Sequence, residues 1–316
     1  MARALQGLRA YQEAPREEPR EPMPAITERL GARLRDYGGE GRPALFVPSL
    51  INPPSILDLS EDKSVLRWLA ARGHRVLLLD WGWDASGRSG LSVADHVEQI
   101  LVPLIQELGE PPALVGYCLG GTMAVAAASM APIRSLATIA APWHFSGYQE
   151  DARAMIADLW SGARPAAEAL HMLPMEVLQS AFWSLDPART VAKFEAFAAM
   201  PAGSPEARAF VTLEDWANDG PPVSEAAARE LFEGFFRDDL PGAGRWKIAG
   251  RAVDPGEVPC PLLNIISTSD RIVPAESSIR PGKPLELNQG HVGMVIGGRS
   301  KQVLWEPLEA WLAGES

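Results

Sequence analysis

Gly116-Tyr117-Cys118-Leu119-Gly120-Gly121 follows the apolar run Ala113-Leu114-Val115 and leads into an alanine-rich stretch from Thr122 to Met130. A buried strand, a sharp turn and a helix in that order make a nucleophile elbow, here with cysteine where serine usually stands. The turn holds the nucleophile in a strained backbone conformation, and small residues two before and two after it let strand and helix approach. Sulfur both attacks thioesters and leaves from them readily, so the motif points to acyl transfer.

Working outward, the same rhythm recurs on both sides. Ala44 to Val47 reads as a buried strand that ends before Pro48, and Arg75 to Trp81 as another. Between them Val65, Leu66, Trp68 and Leu69 fall at helical spacing in a helix from Asp62 to Arg72, closed by Gly73. Ser92 to Leu108 reads as a helix with Ser92 and Asp95 as a capping-box pair. Ser135 to Ala140 continues the strands. Strands joined by helical crossovers predict an α/β class with a mostly parallel sheet covered on both faces.

The alternation stops near Pro142. About a hundred residues follow that are helical and rich in Ala, Met, Phe and Trp, the composition of a cap inserted at about 145–245. Strands return at Pro261 to Ser267 and at Pro284 to Leu287, and a last amphipathic helix runs from about Lys301 to Leu312. Residues 1–25 are charged and proline-bearing and are expected to form a disordered or extended tail. Ile26 to Leu34 reads as a short helix or one edge strand. Residues 26–316 then form one catalytic domain with its cap.

The net charge of −11 argues against broad electrostatic capture of nucleic acid or anionic lipid. Two cysteines, Cys118 and Cys260, make no disulfide framework. No charged start leads into an apolar leader, and no apolar run approaches the ~20 residues of a membrane span, so a cytoplasmic protein without a transmembrane segment is expected. Five scattered histidines and two distant cysteines give no metal-ligand spacing, and no Gly-rich phosphate loop is present, so no metal or cofactor is expected. Of the ten tryptophans, several lie between Trp143 and Trp246, either filling a core or lining a binding surface.

A cysteine nucleophile needs a base, and the base needs an orienting group. In elbow enzymes these follow in the chain order nucleophile, acid, histidine. Asp270, just beyond the strand ending at Ser267, and His291, just beyond the strand ending at Leu287, stand in those places. Each alone is a weak signal, since such an aspartate is usually a cap and such a histidine a loop residue. In order, each at the carboxyl end of its strand, Cys118, Asp270 and His291 make a candidate triad. The candidate oxyanion donors are the Leu119 N–H and one N–H near Ile51 or Asn52; Asn52 serves equally well as a turn former before Pro53-Pro54. Trp216, Tyr117 and His144 are candidate substrate contacts, with core or structural roles as the alternative for each.

These blocks resemble the polyhydroxyalkanoate synthases, above all the short type whose catalytic subunit works with a second subunit. The resemblance spans about Ala44 to Leu312. It is carried by Leu50 to Leu59, Arg72 to Gly82, Gly116 to Gly121, Glu214-Asp215-Trp216, Asp270 to Pro274 and Gly290 to Gly293. It implies an α/β-hydrolase fold in which (3R)-hydroxyacyl-CoA acylates the cysteine, CoA leaves, and the hydroxyl of a second unit takes the acyl group into a polyester. CoA thus enters as substrate. The resemblance implies the polyester chain, a second synthase subunit or a homodimer as partners, and association with polyester granules. The region before Ala44 is shorter and more charged than in the family, which puts a strand or two of the sheet in doubt. The competing reading is a Cys-dependent thioesterase, esterase or polyester depolymerase, since water can take the acyl group on the same scaffold. A non-catalytic granule scaffold is the third, and it gives no reason for three triad residues to occur together.

Overall fold

The runs Pro43–Val47, Ala113–Tyr117 and Ser135–Ile139 are buried at every position. Only a strand covered on both faces permits this, and these three form the middle of one parallel sheet. The computed structural model describes residues 2–18, 20–84, 86–185, 187–282 and 284–314. The expected tail and catalytic domain are followed apart from Met1, Pro19, Ala85, Asp186, Lys283, Glu315 and Ser316, which lie outside the described residues.

The main sheet has eight strands: β1 (Ala25–Arg29), β2 (Ala32–Asp36), β3 (Pro43–Val47), β4 (Arg75–Asp80), β5 (Ala113–Tyr117), β6 (Ser135–Ile139), β7 (Leu262–Ser267) and β8 (Leu285–Leu287). They lie in the order β1-β2-β4-β3-β5-β6-β7-β8. β1 and β2 pair antiparallel, as do β2 and β4, and the remaining pairs are parallel. Alternate side chains of each strand enter opposite cores: Leu45, Val47, Leu77 and Leu114 on one face, Ala44, Phe46, Val76 and Val115 on the other.

Two sequence expectations are corrected at the amino-terminal side. Ile26 to Leu34 is a hairpin, so the sheet is not short of strands. Its two-residue turn places Leu30 at φ 50° and Gly31 at φ 80°, the paired left-handed geometry of a type I′ turn. Leucine gives no sequence signal for that conformation.

The expected tail is in part a helix, α1 (Ala2–Glu13). It packs on a cap helix through Gly7, where an added Cβ would lie 1.8 Å from the Phe194 carbonyl oxygen. The Tyr11 ring lies 6.0 Å from Phe194 and 6.5 Å from Phe210, and its hydroxyl donates to Asp215 Oδ1 at 2.6 Å. Arg16 closes on both oxygens of Asp215. The buried residues of α1 are Ala4 and Gly7, so it docks mainly by close backbone approach and one tyrosine.

The remaining helices cover the sheet: α2 (Val65–Ala70), α3 over 93–107 with a π turn at its centre, and α4 (Leu119–Ala128). Ser92 and Asp95 make the expected capping box on α3. Between β6 and β7 come α5 (Glu150–Leu170), α6 (Met175–Leu185), α7 (Pro187–Phe197), α8 (Pro205–Ala217) and α9 over 225–237. After β8, α10 (Gly293–Ile296) and α11 over 301–314 complete the second face. Glu230 fastens the cap segment to the sheet domain, accepting from the Trp246 indole at 2.8 Å and the Ala94 N–H at 2.9 Å. Among the described residues no helix is long and apolar enough to cross a membrane.

The α1 contact is directly testable. Gly7→Leu puts bulk where backbone now sits and should abolish hydrogen-exchange protection of the α1 amides while leaving β3 to β6 protected. Unchanged protection in α1 would contradict the docking.

Candidate active site

Cys118 begins α4 with φ 56° and ψ −132°, a conformation that an L residue adopts only under constraint. The constraint is packing. A Cβ on Gly116 would fall 2.4 Å from the Gly121 Cα, and one on Gly120 would fall 2.0 Å from the Val47 carbonyl oxygen. Alanine at either place separates strand from helix and releases the turn. The Cys118 N–H is tied to the Ile139 carbonyl at 2.9 Å, so β6 also holds the elbow.

Asp270 and His291 come from the loops after β7 and β8. Ser267 stitches those loops together: its hydroxyl donates to the Gln289 carbonyl and accepts the Gln289 N–H at 3.2 Å. Asp270 is buried. Its Oδ1 accepts the N–H groups of Ile272 at 2.8 Å and Val273 at 3.0 Å, and its Oδ2 meets His291 Nδ1 at 2.6 Å. That pairing leaves Nε2 for Cys118. Tyr117 lies under the imidazole with ring centroids 5.0 Å apart, and its hydroxyl donates to the His291 carbonyl at 3.2 Å. Tyr117 therefore fixes the ring and also forms part of the cavity wall.

Burial opposes charge on His291, but the charges of Asp270 and Cys118 and hydrogen bonds to both outweigh it and raise its pKa to about 10. The ring therefore keeps its proton through neutral pH, the electrostatic setting of a cysteine–histidine pair.

Cys118, Asp270 and His291 line one cavity of about 300 Å³ beneath the cap. Trp216 also lines it, and its indole donates to the Pro53 carbonyl at 2.9 Å, joining α8 to the loop after β3. Ile51 and Asn52 are on the cavity wall. The Ile51 backbone N–H donates to Ser49 Oγ at 3.1 Å, and the Asn52 side-chain amide reaches toward the cap carbonyls of Ala217 and Asp219 at 3.5 and 3.4 Å. The Leu119 N–H, in the first turn of α4, has no intrahelical acceptor. His144 is not among the residues lining a cavity with Cys118. Its N–H donates to the Ser277 carbonyl, and burial first, then Arg280, lowers its pKa.

Sequence reasoning missed Gln179, Arg189 and Lys193 on the cap side of this cavity, where they stand beside Trp183. Arg189 and Lys193 are four apart on α7 and so share a face; that spacing was the available signal. Lys193 is held by the buried Glu214 at 2.6 Å. Of the tryptophans from Trp143 to Trp246, Trp143, Trp160 and Trp246 are buried, whereas Trp183 and Trp216 face the cavity.

The chain matches the model of the Alpha/beta hydrolase family over residues 44–297. It is 28% identical over 295 residues to a poly(3-hydroxyalkanoate) polymerase subunit of Haloferax mediterranei, covering 87% of this chain and 59% of that protein. It is 26% identical over 286 residues to the subunit of that name from Thiocystis violacea, covering 85% of this chain and 80% of that protein. The chain thus spans about three-fifths of the Haloferax relative and four-fifths of the Thiocystis one. Among solved structures, a monoacylglycerol lipase of Paleococcus ferrophilus superposes with a TM-score of 0.52 at 16% identity, covering 90% of this chain and 99% of that one. A hydrolase from Oleispira antarctica gives 0.53 at 12% identity, covering 89% and 94%. At such identities these two neighbours speak for the fold alone.

The His291 environment sets a pH dependence. The folded ring binds its proton more tightly than an unfolded histidine, whose pKa is about 6.5. The stabilisation is therefore complete below about 6.5 and is lost as pH rises toward about 10. Between those values the wild type should lose thermal stability, and His291→Gln, whatever its own stability, should lose less. Parallel declines would contradict the assignment.

Proposed function

The chain belongs to the alpha/beta hydrolase family, with polyhydroxyalkanoate synthases as its relatives, and on that premise we propose that it is a polyhydroxyalkanoate synthase-like acyltransferase. It takes (3R)-hydroxyacyl-CoA and builds polyester through a cysteine-bound acyl intermediate. The observation that carries the reading is the Asp270–His291 pair at 2.6 Å, facing the same cavity as a thiol held at a strained elbow.

His291 Nε2 holds the proton of Cys118. The thiolate adds to the thioester carbonyl, and the resulting oxyanion meets the N–H of Leu119. The second donor comes from the loop after β3, as the backbone N–H of Ile51 or Asn52, both of which line the cavity. Collapse breaks the carbon–sulfur bond to CoA, which leaves with the proton carried by His291. Neutral His291 then removes the proton from the hydroxyl of a second hydroxyacyl unit. That oxygen attacks the Cys118 thioester, an oxoester forms, and Cys118 departs as thiolate. Both Asp270 oxygens are already engaged, by two backbone N–H groups and by His291. This favours an orienting role for Asp270 over that of a base. The two-subunit or homodimeric assembly and granule association belong to the same reading.

Purified protein supplied with 3-hydroxybutyryl-CoA should release CoA and form polymer. CoA release with only monomeric hydroxy acid would move the protein to the thioesterase, esterase or depolymerase reading. No release, even with a candidate second subunit present, would sink acyl transfer from CoA.

Cys118→Ala should lower turnover at least about a thousandfold. Cys118→Ser should keep the fold but lose most transfer, because an alkoxide leaves poorly. Asp270→Asn should cost about a thousandfold or more by misplacing the imidazole proton. Near-normal turnover in any of the three would refute its assigned role.

A further inference from the structure

Cys118 faces two spaces. Besides the cavity it shares with Asp270 and His291, it lines a second, smaller one of about 80 Å³ together with Leu119. The walls of that chamber come from the loops after β3 and β7 and from the cap and the segment after β6, among them Phe145, Tyr148, Ile156, Leu231, Phe232 and Phe236. They are fixed by one another. Phe145 and Phe236 meet edge to face at 4.9 Å, Tyr148 and Phe236 at 5.0 Å, and Phe232 stacks on Trp160 at 5.2 Å.

This pairing of spaces sorts the groups on an acyl unit. A polyester carries a carbonyl in every repeat, and burying repeated carbonyls among phenylalanine, isoleucine and leucine side chains is unfavourable. The growing chain and the C3 hydroxyl therefore belong on the side of Asp270 and His291. Hydrocarbon is the one part of a hydroxyacyl thioester that the second chamber suits. Resting on the acyltransferase reading above, we infer that the chamber beside Cys118 and Leu119 receives the alkyl branch at C3. It is the smaller of the two spaces, about 80 Å³ against about 300 Å³, which makes Ile156 and Leu231 specificity-determining residues for the length of that branch.

Two measurements test this, one of which does not depend on turnover. Alkyl methanethiosulfonates of one, three and seven carbons label thiols, and the rate at Cys118 is followed by the mass of its peptide. Ile156→Ala and Leu231→Ala, each checked for folding by circular dichroism, should raise the seven-carbon rate about tenfold relative to the one-carbon rate. With the acyl-CoA substrates, the same variants should raise kcat/KM for 3-hydroxydecanoyl-CoA over 3-hydroxybutyryl-CoA by a similar factor. Where one variant fails to fold, the other decides, and Ile156→Val with a smaller shift in the same direction replaces a failed Ile156→Ala.

Chain-length ratios unchanged in folded variants would overturn the chamber assignment even if CoA is released normally. The expected labelling shift without CoA release from any substrate would reject the acyltransferase reading and leave the chamber as an alkyl-binding site.

Discussion

Everything at this site depends on how closely β5 and α4 approach. The backbone of Cys118 is strained, and strain persists only where the surroundings over-determine it. Here the surroundings are backbone on three sides: Gly116 against Gly121, Gly120 against the Val47 carbonyl, and the Cys118 N–H bound to Ile139. The middle of the parallel sheet, buried on both faces, supplies the rigidity. A side chain on Gly116 or Gly120 would relieve the strain and move the thiol away from His291.

The cap is joined to this elbow through hydrogen bonds as well as packing. Trp216 reaches the Pro53 carbonyl and Asn52 reaches toward Ala217 and Asp219, so the end of α8 and the loop after β3 are coupled. That loop is the expected source of the second oxyanion donor. On its outer side the cap is gripped by α1 through Gly7 and Tyr11 and by Arg16 just beyond it. Cap, amino-terminal helix and the loop after β3 thus form one connected set around the cavity.

The parts that were legible in the sequence carry local signals. Glycines flanking Cys118, alternation of apolar runs with helices, the Ser92–Asp95 pair, and acid and histidine after late strands all have short-range causes. The parts that were not legible arise between distant segments. Leu30 occupies a left-handed turn position for which glycine or asparagine would have been the signal. α1 docks through a glycine and a tyrosine, and its partner Asp215 lies some two hundred residues away. Arg189 and Lys193 share a helical face, but nothing local says that the face looks at Cys118. The roles of Ile51 and Asn52 depend on Ser49 and on the cap, and neither hydrogen bond is visible from spacing. His144 follows a strand of the sheet, yet it does not line the cavity.

The central claim is that Cys118 carries the acyl group. The most direct measurement is the mass of the Cys118 peptide after rapid mixing of the protein with 3-hydroxybutyryl-CoA and quenching in acid. The account predicts a hydroxybutyryl or oligomeric adduct on Cys118 that appears with the first CoA released and is absent in His291→Gln. CoA release with no adduct on Cys118, or with the adduct on another residue, would contradict it.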